Sequence, residues 1–145
     1  LFTSYCSLAD SKGITMDLQI DPSIQSEENL CIYGDVDRLN QVFGNLITNA
    51  IRHTPSGGKV MISLNYYSRC IDVSIADTGE GVPEEDLPFI FDRFWKADLS
   101  RSHTKGSGSG LGLAIAKQLV EAHQADISGS SETGQGSIFR VTLQI

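Results

Sequence analysis

The 145-residue sequence has no CxxC pair, no apolar run of membrane length and no excess of basic residues. Its three cysteines, Cys6, Cys31 and Cys70, are odd in number and widely spaced. That excludes a paired disulfide framework or a zinc site and fits a reducing cytoplasm. A membrane span needs about 20 consecutive apolar residues, and no segment approaches that length. The opening residues Leu1-Phe2-Thr3-Ser4-Tyr5 lack the basic start and long apolar stretch of a signal peptide. The chain also lacks an initiating Met and opens in mid-pattern, so it reads as a segment of a longer parent, itself cytoplasmic or membrane-anchored. Lys and Arg total 11 against 18 Asp and Glu, a net charge of −7. Nucleic acid, which needs a basic face, is therefore not the expected partner. A polyanionic ligand would have to be held by local donors or a cation, because the global field repels it. No repeat or low-complexity block is present. Apolar residues make up 40% and charged residues 20% of the chain, which fits one packed domain over 1–145 rather than disorder.

Hydrophobic periodicity divides the chain. Ile14, Met16, Leu18 and Ile20 alternate as in a half-buried strand, ended by Asp21-Pro22. A short strand is expected near Leu30–Tyr33. From Asp35 the period changes: Leu39, Val42, Phe43, Leu46, Ile47 and Ala50 mark an amphipathic helix to about His53, capped by Asp35 or Asp37 and stopped by Thr54-Pro55-Ser56-Gly57-Gly58. Two alternating strands follow, through Val60–Leu64 and Ile71–Ile75, with a hairpin at Tyr66–Arg69. Asp77–Pro83 reads as a loop and Glu84–Phe94 as a short helix. A second helix is expected over about Gly110–His123, and terminal strands carry Phe139, Val141 and Leu143 on one face. Long helices among hairpin-connected strands predict an α+β fold, a two-layer sandwich with helices on one face of a mixed, mostly antiparallel sheet.

Four segments carry chemistry. Asn45 and Asn49 lie four apart on the first helix, at the margin of its apolar stripe, with Arg52 and His53 one turn on. Amide oxygens are hard, neutral donors suited to Mg²⁺ that also binds phosphate; such residues equally make ordinary helix-surface hydrogen bonds. Asp77-Thr78-Gly79-Glu80-Gly81 places a carboxylate at a strand end beside glycines that admit a flat ring, though it also suits a plain turn. Lys105-Gly106-Ser107-Gly108-Ser109-Gly110-Leu111-Gly112-Leu113 runs into the second helix, where free N–H groups favour phosphate. It matches neither a Walker A loop nor a Rossmann fingerprint, and a flexible linker with a helix cap is its plainer alternative. In Phe91-Asp92-Arg93-Phe94-Trp95, the Arg93 fork suits a terminal phosphate, while Phe91, Phe94 and Trp95 are expected to be packing residues.

In order, the Asn-rich helix, DTGEGVP, FDRFW, GSGSGLGLAIAK and Gly134-Gln135-Gly136-Ser137-Ile138-Phe139 resemble the N, first glycine, F, second glycine and third glycine boxes of sensor histidine kinase ATP-binding domains. These belong to the GHKL superfamily with DNA gyrase, MutL and the ninety-kilodalton heat-shock chaperones, and the resemblance covers roughly residues 5–145. It implies a Bergerat-type sandwich that binds ATP and Mg²⁺. By resemblance, Asn49 would hold Mg²⁺, Asn45 would support the phosphate and metal region, and Asp77 would read the adenine amino group beside Gly79 and Gly81. Residues 95–109 would be the ATP lid. Lys105, Gly108, Ser109, Gly110, Leu111 and Gly112 would lie along the phosphates. Arg52 and His53 stand where Lys and Tyr are frequent; Arg52 keeps the charge, and His53 would stack near the nucleotide. Asn49 and Arg93 are the expected catalytic residues.

The resemblance also implies transfer of the ATP γ-phosphoryl to a histidine on a separate dimerisation domain, then to an aspartate of a response regulator. His53, His103 and His123 are the three histidines here, and none stands in an H-[ED]-x-x-[TN]-P context. The chain is thus expected not to phosphorylate itself; the resemblance also implies a monomer, because dimerisation in that family belongs to the separate helical domain. The related ATPases carry Glu where Asn45 stands; an amide is no general base. A GHKL serine kinase and a nucleotide-sensing module without catalysis are the alternatives.

Overall fold

The computed structural model describes residues 2–26, 30–93 and 111–145. Along the chain run α1 (Phe2–Ser11), β1 (Thr15–Ile20), α2 (Pro22–Ser26), α3 (Val36–His53), β2 (Lys59–Tyr67), β3 (Cys70–Asp77), a 3₁₀ turn (Glu84–Phe89), α4 (Gly112–Ala122), β4 (Asp126–Glu132) and β5 (Gly136–Gln144). The five strands form one sheet in the order β1-β2-β3-β5-β4. β1 pairs parallel to β2, and every other pair is antiparallel. This is the mixed α+β sandwich that the pattern predicts. Among the described residues no helix is long and apolar enough to cross a membrane.

Local chemistry explains the elements that place the site. Asp35 caps α3 with its carboxylate, accepting the Arg38 N–H, which satisfies one of the free donors of the first turn. At the far end, the buried Thr54 hydroxyl donates 2.7 Å to Ala50 O. Lys12 Nζ donates to Ile51 O at 2.7 Å and Arg52 O at 2.8 Å, a cation on the negative end of the helix dipole. Between these ends, Val42, Leu46, Ile47, Ala50 and Ile51 are buried against the sheet. Burying a large apolar side chain contributes about 1.5–3 kcal/mol, so this stripe fixes the rotation of α3 and hence where its polar edge points. The sheet supplies the other half of the core through Val60, Ile62, Val73, Ile75, Phe139 and Val141.

Three expectations are corrected. Residues 30–33 form no strand; they lead into α3, and Tyr33 there is fully exposed. The β2–β3 hairpin is tighter than expected, with only Ser68 and Arg69 between strands, at φ 49° and 62°. Two consecutive left-handed residues give the turn whose twist matches paired strands. The expected helix over Glu84–Phe94 is a 3₁₀ turn that stops at Phe89 and holds Pro88, whose ring cannot continue an α-helix. Two helices, α1 and α2, are additions to the sequence reading.

A candidate nucleotide site between α3, the β3 loop and α4

The antiparallel register sets Asp77, the last residue of β3, opposite Ser137 at the start of β5. Asp77 is buried, and its Oδ1 accepts the backbone N–H of Gly79 at 2.9 Å and of Ser137 at 3.3 Å. No described residue bonds its Oδ2, so one carboxylate oxygen is held by backbone while the other remains for a ligand. Burial pushes the Asp77 carboxyl above the usual range, against the opposing pull of the Gly79 and Ser137 amides and of His53. The loop that follows is shaped by close backbone contacts. A Cβ at Gly79 would strike His53 O, and one at Gly81, whose φ is 75°, would strike Glu132 O.

α3 approaches this strand end with Asn49 and, one turn later, His53. The His53 Nδ1 lies 3.8 Å from Glu80 Oε1. Burial, and then the Arg52 cation, lower its pKa; Glu80 and Asp77 pull the other way, and Lys12 adds to the lowering. A neutral, flat ring is therefore the form favoured at neutral pH. α4 closes the third side. Its N-cap, Leu111, makes no side-chain hydrogen bond to the first turn, so among the described residues no side chain caps that turn's N–H groups. Asn45 Nδ2 donates 3.1 Å to Gly112 O and so ties the start of α4 to α3.

These pieces frame an open cleft lined by Asn49, His53, Asp77, Glu80, Gly81, Val82, Ile90, Leu113, Ser137 and Phe139. Of the residues singled out in the sequence, Asn49, His53, Asp77 and Gly81 line it. Gly79 adjoins it through its bond to Asp77, and Asn45 and Gly112, bonded to each other, adjoin it beside Leu113; Leu111 precedes them as the N-cap of α4. Arg52 and Arg93 are exposed and lie outside its lining. Lys105, Gly108, Ser109, Gly110 and the 95–109 segment lie outside the described residues. Phe91 packs as expected, edge-to-face on Phe139 with ring centroids 6.1 Å apart and Lys117 Nζ 5.6 Å from its ring centre.

Val82, Ile90, Leu113 and Phe139 are the cleft's apolar walls; the sequence marks none of them as ligand-facing, and Phe139 reads there only as one face of a terminal strand. Ser137 was also missed as a site residue; the Gly-Gln-Gly-Ser segment was a signal for it. Among the described residues no group of three or more His, Cys, Asp or Glu could hold a metal. A lone amide such as Asn49 suits Mg²⁺, which keeps several waters and is held largely by substrate phosphates.

The Asp77 direction carries a pH prediction. A carboxylate that accepts a hydrogen bond from a base amine must be ionised, and the raised folded pKa moves its loss upward in pH. Affinity for an adenine nucleotide should fall on acidification from a pH above the ordinary Asp value of about 3.9. The apo fold has the opposite sign: keeping this buried group charged costs stability that returns as it protonates. Calorimetric titrations across pH check the first trend, which should be absent from Asp77→Asn.

Residues 34–145 match the family described as Histidine kinase-, DNA gyrase B-, and HSP90-like ATPase. The sensor histidine kinase YclK of Bacillus subtilis (strain 168) is 39% identical over 122 residues, covering 84% of this chain and 26% of YclK. The chain thus spans about a quarter of that relative's length. The catalytic domain of histidine kinase ThkA, solved nucleotide-free, superposes with a TM-score of 0.79 at 25% identity, covering 99% of this chain and 86% of that one. Full-length ShkA in complex with AMPPNP gives a TM-score of 0.77 at 28% identity, covering 97% of this chain and 27% of ShkA. With the matched segment extending from the loop before α3 to the end of β5, and the cleft assembled from that segment's own residues, the chain belongs to the family of histidine kinase-, DNA gyrase B- and HSP90-like ATPases.

Proposed function

We propose that this chain is the ATP-binding catalytic domain of a two-component sensor histidine kinase, working in the cytosol. It would present the γ-phosphoryl of ATP to a histidine on a separate dimerisation domain of its parent, for relay to a response regulator aspartate. The observation that carries the reading is the convergence of Asn49, Asp77 and the start of α4 on one cleft. Asp77 Oδ2 accepts the adenine amine, Val82, Ile90, Leu113 and Phe139 sandwich the ring, and the first turn of α4 meets the phosphates. Bound Mg²⁺ supplies charge neutralisation on the phosphates, and Asn49 is the residue that would hold it. Phosphoryl transfer needs mainly positioning and neutralisation. Asn45 offers no general base, since its amide donates to Gly112 O; this favours an imidazole over water as acceptor. Arg93 is assigned to the γ-phosphate and Arg52 to the rim of the phosphate site, with 95–109 as the lid.

Mixing the monomeric chain, labelled ATP and the parent's dimerisation domain should place acid-labile phosphate on that domain alone. Label on His53, His103 or His123 of this chain would overturn the reading. Asn49→Ala should lower ATP affinity about tenfold in Mg²⁺ and leave it unchanged in EDTA, since only the metal-dependent part, about 1.4 kcal/mol, passes through that amide. Equal affinities of the variant and parent chains in Mg²⁺ would remove Asn49 from the metal site.

A further inference from the structure

Ser131 lies on β4, outside the cleft, yet touches three parts of its frame. Its Oγ accepts the Val82 N–H at 2.5 Å, donates to Gly136 O at 3.0 Å and lies 3.0 Å from Ser137 Oγ. Val82 belongs to the loop after Asp77, Gly136 opens β5, and Ser137 is both the cross-strand partner of Ser131 and a wall of the cleft. A serine hydroxyl has one proton and two lone pairs. The proton goes to Gly136 O and one lone pair takes the Val82 N–H. Only an acceptor site remains for Ser137, so the Ser137 hydroxyl must be the donor of that pair. Its own proton is then spent on Ser131, and it offers the cleft lone pairs only.

We infer that Ser131 is a specificity-setting positioning residue: it fixes the polarity of the Ser137 hydroxyl, so that Ser137 and Asp77 face the nucleobase as two acceptors. The inference rests on the adenine reading above. Both acceptors are directed at the exocyclic group at position 6: the two hydrogens of the adenine amine can serve both, whereas the carbonyl of hypoxanthine can serve neither. Without the Ser131 hydroxyl, the Ser137 proton turns free and can serve a carbonyl equally well. Ser131 also fixes Val82 against β4, where Gly134 N donates 2.8 Å to Glu80 O, so both sides of the loop are tied to the β4–β5 hairpin.

The test is calorimetric binding of ATP and of inosine triphosphate to the 145-residue chain, alongside thermal unfolding. The chain should prefer ATP. Ser131→Ala should cut that preference about fivefold, the equivalent of one hydrogen bond of about 1 kcal/mol. Ser131→Thr, which keeps the hydroxyl, should preserve it. Because Ser131 acts through Ser137, the Ser131→Ala effect on the ratio should vanish in a Ser137→Ala background; a merely structural loss would persist there. A folded alanine variant with the original ratio overturns the inference alone, as does a folded threonine variant that loses it, or an effect undiminished without Ser137. A parent chain that binds both nucleotides equally overturns the adenine reading and this inference with it.

Discussion

Asp77→Asn should weaken ATP binding about 10- to 100-fold while leaving the apo fold as stable as before or more so. The two effects separate because the carboxylate's oxygens have different tasks. Oδ1 takes the Gly79 and Ser137 amides at 2.9 and 3.3 Å, and an asparagine oxygen can take both. The replacement amine must then occupy the place of Oδ2, where a donor faces the donor of adenine. A hydrogen bond to a charged group is worth about 1.5–3 kcal/mol, which sets the range of lost affinity. Stability does not follow it down, because burial disfavours the charged form of Asp77 and the neutral amide removes that penalty. Calorimetry for affinity and thermal unfolding for stability read the two separately. An unchanged ATP affinity would show that the base does not sit at Asp77.

How much of this was legible beforehand depends on sequence distance. α3 was read almost to its ends because its signals are local: a capping Asp35, an apolar stripe at helical spacing and a stop at Thr54-Pro55. β2 and β3 were likewise visible from alternation, although their turn was read too wide; Ser68 and Arg69 adopt left-handed conformations without the glycine that usually announces one. α1 was missed because FTSYCSLADS is rich in Ser and Thr and buries only Ala9 fully; its helix depends on packing against β1 and α3. Leu30–Tyr33 failed as a strand although Leu30 and Ile32 alternate with Cys31 and Tyr33, because alternation alone provides no pairing partner. In the site, Asn49, His53 and Asp77 were legible as residue types with unusual spacing. The Ser131, Ser137 and Asp77 network was not, since it exists only through the β3–β5 and β4–β5 registers, and Asp77 and Ser137 lie 60 apart in sequence.

Gly136 shows how tightly that register binds the site to the fold, and Gly136→Ala is the substitution expected to do the most damage to the chain itself. Its φ of 110° lies where L side chains are rare, and an added Cβ would strike Asp77 O and approach Thr78 Cα at 3.1 Å. Both obstacles are backbone, so no rotamer change relieves them. Strained backbone costs about 1–3 kcal/mol and overpacking a similar amount, so a loss of about 3 kcal/mol is expected. For a chain of this size that is a fall of roughly 6–12 °C in Tm. Gly134 is the internal control. Its φ is 82°, but among the described residues beyond its chain neighbours no atom lies within 4 Å of the position its Cβ would take, so Gly134→Ala should pay only the conformational part, about 1 kcal/mol. ATP affinity should fall in the Gly136 variant, because Asp77 and Ser137 must part to admit the methyl, and hold in the Gly134 variant. Equal melting points for the two would mean that left-handed strain alone fixes the hairpin, and that the close approach of β5 to the Asp77 carbonyl contributes nothing.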